Sequence, residues 1–179
     1  AGRYRIAGGA NDVCVAGDCA YVSCPDNALL AIDVTDPTAP ALAGSCAIAG
    51  WGQGVSVAGD YAYVSMLSDG MSVVDVSDPA APVIIGQVAV DHPWRITVAG
   101  DLAYVASSVS DPVIIDVSDP TAPGLAGSYD TPGYAQDVVV AGGIGGRRQS
   151  HRDGAPAGLD ADHLERVETD DRYAVHQPG

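Results

Sequence analysis

At 179 residues the chain is long enough to bury a core, and one domain is the default expectation. Its 23 acidic residues outnumber 8 basic ones, all of them arginine, for a net charge of −15; this repels phosphate backbones and anionic lipid, so neither nucleic acid nor membrane insertion is expected. Phe is absent while Gly, Ala and Val abound, which suits sheets and tight turns, and no apolar run approaches the ~18 residues that span a bilayer.

In chain order, the dominant signal is repetition. Val-Ala-Gly recurs at 15–17, 57–59, 98–100 and 140–142, at intervals of 42, 41 and 42. Ala-Tyr-Val follows at 20–22, 62–64 and 103–105, and Asp-Val-(Ser/Thr)-Asp-Pro at 33–37, 75–79 and 116–120, with a second proline at Pro40, Pro82 and Pro123. The second unit predicts strands over Gly54–Ala58, Tyr61–Ser65, Met71–Val76 and Val83–Val90. Gly59-Asp60 between the first two is the signal of a type II′-like hairpin, because glycine takes the positive φ of the turn's first position. At the end of the third, Asp78 can close an Asx-turn and Pro79 removes a donor.

All four cysteines, Cys14, Cys19, Cys24 and Cys46, fall in the first unit. They read as small residues in place of Ser56, Tyr61, Met66 and Val88, or as one or two disulfides, for which three complete pairings exist. Spacings of five, five and twenty-two lack the Cys-x-x-Cys pair of common zinc sites.

Segments such as Leu29-Leu-Ala-Ile32 and Pro112-Val-Ile-Ile115 are apolar without alternation and need cover on both faces. Sheets stacked against one another supply that cover. Four antiparallel strands every 40-odd residues therefore predict an all-β, partial β-propeller of four-stranded blades, with a right-handed or irregular β array as the outsider. Leu-Leu-Ala-Ile-Asp-Val at 29–34, Met-Ser-Val-Val-Asp-Val at 71–76 and Pro-Val-Ile-Ile-Asp-Val at 112–117, each after Gly-Asp-x-Ala-Tyr-Val, resemble the LVIVD repeat of bacterial and archaeal proteins. The resemblance covers residues 1–142. It implies a propeller and an exported, periplasmic or cell-surface location, and brings no catalytic residues with it.

Residues 1–18 align with 126–143 at a constant offset of 125, Ala1-Gly-Arg-Tyr4 matching Ala126-Gly-Ser-Tyr129. The chain is thus expected to open on a fourth strand and to hold three full repeats with split terminal strands, as part of a longer propeller. Missing blades or another copy of the chain are then expected partners. Residues 143–179 carry no fourth copy and read as a polar tail, disordered or out of frame; a short helix near Leu159–Glu168 is compatible with it. Asp160, Asp162, His163 and Glu165 there look ligand-like, but an acidic solvated segment is the better account of them.

Function is sought where the repeats differ. The Asp-Pro end is nearly invariant; the opposite end carries Trp51 and Gln53 in one linker, Asp91, His92, Trp94 and Arg95 in the next, and Tyr134 and Gln136 in the third. Counting back from each Val-Ala-Gly makes Asp12, Gly54, Arg95 and Asp137 equivalent, at the start of the innermost strand and facing the channel mouth. Aromatic anchors and an arginine on loops of a rigid scaffold suit a contact patch, which assigns Asp12, Trp51, Gln53, His92, Trp94, Arg95, Tyr134, Gln136 and Asp137 as ligand-binding candidates. The blander readings are that the tryptophans plug gaps between blades and that Arg95 neutralises Asp12 or Asp137. No cofactor is expected. Asp33, Asp75 and Asp116 read as turn formers, and Asp26, Asp69 and Asp111 are the calcium candidates if any exist. The expected function is a non-enzymatic scaffold of an exported protein, binding a protein or glycan partner through its variable face. The alternative is a hydrolase or lyase at the propeller mouth using His92, Arg95 and nearby acids.

Overall fold

The computed structural model describes residues 2–26, 28–131, 135–140 and the backbone of 166–169. Among these residues there is no helix. The first unit forms β1 (Asp12–Ala16), β2 (Cys19–Cys24), β3 (Ala28–Asp33) and β4 (Ala41–Ala47); the second β5 (Gly52–Ala58), β6 (Tyr61–Met66), β7 (Gly70–Asp75) and β8 (Val83–Val88). The third forms β9 (Pro93–Ala99), β10 (Leu102–Ser107), β11 (Val113–Asp116) and β12 (Gly124–Ser128). Each unit is one antiparallel four-stranded meander, in the order predicted. A fourth sheet pairs β13 (Ala135–Val139) with β14 (Arg166–Thr169), so residues 166–168 are strand where a helix over 159–168 was compatible with the sequence. The rest of the tail, with Asp160, Asp162, His163 and Glu165, lies outside the described residues.

The first hairpins form as the sequence dictates. Gly17, Gly59 and Gly100 take φ of 56°, 58° and 59°, while the aspartates after them keep negative φ, which makes the turns type II′. At the same end, Asp33 Oδ1 accepts hydrogen bonds from the backbone N–H and hydroxyl of Thr35, and Asp75 Oδ1 accepts the same pair from Ser77. These side-chain and backbone donors hold the Asp33 and Asp75 carboxyls below the usual carboxylate range. Val34, Val76 and Val117 N–H donate to Asp18, Asp60 and Asp101 O, so hairpin and Asp-Pro turn lie side by side. The repeated aspartates are turn formers in the structure.

The blades stack as a propeller. β1, β5, β9 and β13 are neighbours around the channel, and each blade's second strand lies against the next blade's first. Tyr21 and Leu29 pack with Val55 and Val64 between blades one and two; Tyr63 and Val73 with Ile96 and Val105 between two and three; Tyr104 with Ala135 and Val138 beyond three. This is why β7 is buried along almost its whole length. Inner strands are also tied across blades: Val55 N–H donates to Asp12 Oδ2, Val98 N–H to Ser56 Oγ, and the Thr97 hydroxyl to Val138 O.

A contact between outer strands and turns explains the constancy of the Asp-Pro end. Gly44 of β4 sits on the turn of the second blade, where a Cβ would overlap Pro79 O and come 2.7 Å from Ala80 O. Gly86 of β8 sits the same way on Pro120 and Pro123 of the third blade. Gly2 repeats this against the first blade, with a would-be Cβ 2.5 Å from Pro37 O and Pro40 Cδ, and Tyr4 and Ile6 pack on Val22 and Ile32. Gly2, Tyr4 and Ile6 thus occupy the places that Gly44, Cys46 and Ile48 hold on the second blade. Residues 2–6 are not strand, where the sequence predicted a fourth strand, but their packing repeats that of the outer strands.

The four cysteines are free thiols. Cys19 packs between the first two blades and Cys24 against Val22 and Ile32, consistent with their use as small apolar residues; burial is the main factor that raises both thiol pKa values.

Candidate functional site

At the end opposite the Asp-Pro turns, the linkers meet the loops between second and third strands: Leu67 N–H donates to Trp51 O and Ser108 N–H to His92 O. Asn11, Pro25, Trp51, Gln53, Trp94 and Arg95 line an open cleft of about 280 Å³ there. Four of these were sequence candidates and come from two different linkers.

A backbone device places them. The register of β5 with β6 slips between Gly52 and Gly54, leaving Gln53 as an extra residue, and that of β9 with β10 slips between Pro93 and Ile96, at Trp94 and Arg95. A third slip, between Ala135 and Asp137, falls at Gln136. Gln53, Trp94 and Gln136 are equivalent positions in the repeat. Bulges of this kind re-aim a side chain and recur beside binding sites. Asn11, the same position in the first repeat, is a lining residue that the sequence reading passed over; counting back four from Val-Ala-Gly would have found it. Its Nδ2 donates to Gly52 O at 2.7 Å, fixing the start of β5 to the first blade.

The tryptophans do not plug gaps. Trp51 is 58% exposed and Trp94 36%, so both indoles present area to the cleft and to solvent. Arg95 Nη1 lies 2.5 Å from Asp12 Oδ1, choosing Asp12 as its counter-charge. This pair joins the third blade to the first, past Gly54 of the second. A Cβ on Gly54 would meet Trp94 O at 2.7 Å, Ser65 Oγ at 2.9 Å and Arg95 Cα at 3.2 Å, so the missing side chain makes room for the crossing. Beneath it Ser65, fully buried, accepts from Gly54 N–H at 2.8 Å and donates to Trp94 O at 2.6 Å.

The remaining candidates stand elsewhere. His92 is on the linker between the second and third blades and not among the lining residues; Gln136 is exposed and Asp137 half-buried on β13; Tyr134 lies outside the described residues. His92 has φ of 42°, in the left-handed region that glycine favours. His92→Gly is therefore expected to raise stability by roughly 0.5–1 kcal/mol, measured by urea unfolding, with no change in the denaturant slope.

Among the described residues no group of three or more His, Cys, Asp or Glu side chains is placed to hold a metal ion. Asp26 and Asp69 each stand against a linker glycine, Gly8 and Gly50, one per blade. The cleft holds hydrogen-bonding amides, a compensated arginine and two flat apolar surfaces.

No curated protein matches the chain. The sequence profile of the LVIVD repeat matches it three times, at residues 7–48, 49–90 and 92–131, each match running from the linker through the four strands of one blade. The chain belongs to the LVIVD repeat family.

Proposed function

We propose that the chain is a non-enzymatic β-propeller scaffold of an exported or cell-surface protein, binding a protein or glycan partner through its variable loop face. The observation that carries this is the cleft itself: Trp51, Gln53, Trp94 and Arg95, which the repeats do not share, are brought together on the frame that they do share. Rigid scaffolds with variable loops concentrate recognition there, and exposed tryptophans are the costliest side chains to leave in water without a use. A catalytic role at this mouth draws less support, because Arg95 is already engaged by Asp12 and His92 stands outside the lining.

The test compares the two ends of the molecule on a panel of immobilised glycans and extracellular proteins. Binding is expected to fall at least tenfold in the Trp51→Ala/Trp94→Ala double variant and to persist in Asp18→Asn, at the hairpin end. Binding that survives loss of both tryptophans overturns the proposal.

A further inference from the structure

We infer that the cleft takes a neutral saccharide, one or two sugar rings stacked on Trp51 and Trp94 with hydroxyls on Gln53, Asn11 and Arg95. This rests on the reading of the variable face as a binding face and names its ligand class.

Three features select it. First, the lining carries no net charge: Arg95 is its one charged residue, and Asp12 compensates it at 2.5 Å. A polyanion would have to break that pair against a chain of net charge −15, and a cation would meet the guanidinium, so the compatible ligand is uncharged. Second, the apolar part of the lining is flat. Indoles offer π faces with a negative quadrupole, which attract the weakly positive C–H groups on one side of a pyranose ring, while an aliphatic side chain would be better held by a pocket of branched residues. Third, the polar part suits hydroxyls. The Gln53 side chain and both indole N–H groups make no hydrogen bond among the described residues, and Asn11, whose Nδ2 is spent on Gly52 O, keeps its Oδ1 to accept. Donors and acceptors mixed at one rim match a ring of hydroxyls, each of which can do both. The volume of about 280 Å³ sits near the lower limit of small-ligand pockets, about 300 Å³, which matches a sugar ring or two. A proline-rich peptide would also stack on tryptophan, but it needs an elongated groove.

Trp51 and Trp94 are the only tryptophans of the chain, so tryptophan emission, excited at the red edge where its tyrosines do not absorb, reports this cleft alone. The experiment titrates the full chain with neutral oligosaccharides of gluco, manno, galacto, xylo and N-acetylated types. Polygalacturonate and a polyproline peptide are run as comparators. Expected is a saturable change in emission with at least one neutral sugar, unaltered by 0.5 M salt. Isothermal calorimetry of the same sugar should show affinity at least tenfold weaker in Trp94→Ala, and within threefold of wild type in Trp94→Phe, with circular dichroism reporting that each variant is folded. No response across the neutral panel overturns the sugar, as does a response confined to the acidic polymer or to the peptide. If a protein ligand still binds and is lost in the double tryptophan variant, the binding face stands and only the ligand class falls.

Discussion

Gly44→Ala is expected to lower the melting temperature by roughly 3–10 °C, and Gly86→Ala to do the same, through a loss of about 1–3 kcal/mol each. Both added methyl groups would land on backbone atoms of the next blade's turn, Pro79 and Ala80 in one case and Pro120 in the other, which cannot step aside as a flexible side chain could. Gly127 is the internal control. It holds the same place in the third repeat, but a Cβ there meets nothing within 4 Å among the described residues, so Gly127→Ala should be neutral or slightly stabilising through the entropy of the unfolded chain. Thermal unfolding of the three variants side by side decides the matter: equal effects at 44 and 127 would mean that the packing of strand on turn does not govern stability.

A second pair of variants separates two serines that the repeat makes equivalent. Ser65→Ala strips the buried hydroxyl that accepts from Gly54 N–H and donates to Trp94 O, leaving both groups without that partner, at a cost of about 1–3 kcal/mol. Because Trp94 O is one of the two, its loss should also loosen the cleft wall and weaken ligand binding severalfold. Ser23 Oγ is equally buried but has no partner among the described residues, so Ser23→Ala should be neutral or stabilising. Chemical denaturation gives the first comparison and fluorescence titration the second. A larger loss at Ser23 than at Ser65 would contradict the network.

The frame was legible in the sequence because its signals are local and recur. Gly59-Asp60 needs only its own φ angles to make a hairpin, and Asp75 reaches a donor two residues away. What was not legible depends on register between strands or on contact between blades. Nothing in Gly52-Gln-Gly54 announces that the strand slips by one residue there, yet that slip leaves Gln53 as the extra residue at the cleft. The choice of Asp12 over Asp137 as partner for Arg95 is made by room above Gly54, a property of three blades at once. Trp51 and Trp94 could be placed on the same end of the molecule from spacing, but their exposure could not, since it depends on how much of each indole the neighbouring linker covers.

The crossing of Arg95 to Asp12 bears on how the array melts. In a linear stack, stability is a sum over adjacent units, and an end unit can fray while the others stay folded. A tie from the third unit to the first is a next-nearest-neighbour coupling. As a half-exposed ion pair it contributes on the order of 1 kcal/mol or less, but it turns a string of pairwise couplings into a closed circuit. Losing the first or the third unit then also withdraws support from the other, so the three units gain cooperativity from the same contact that shapes the cleft.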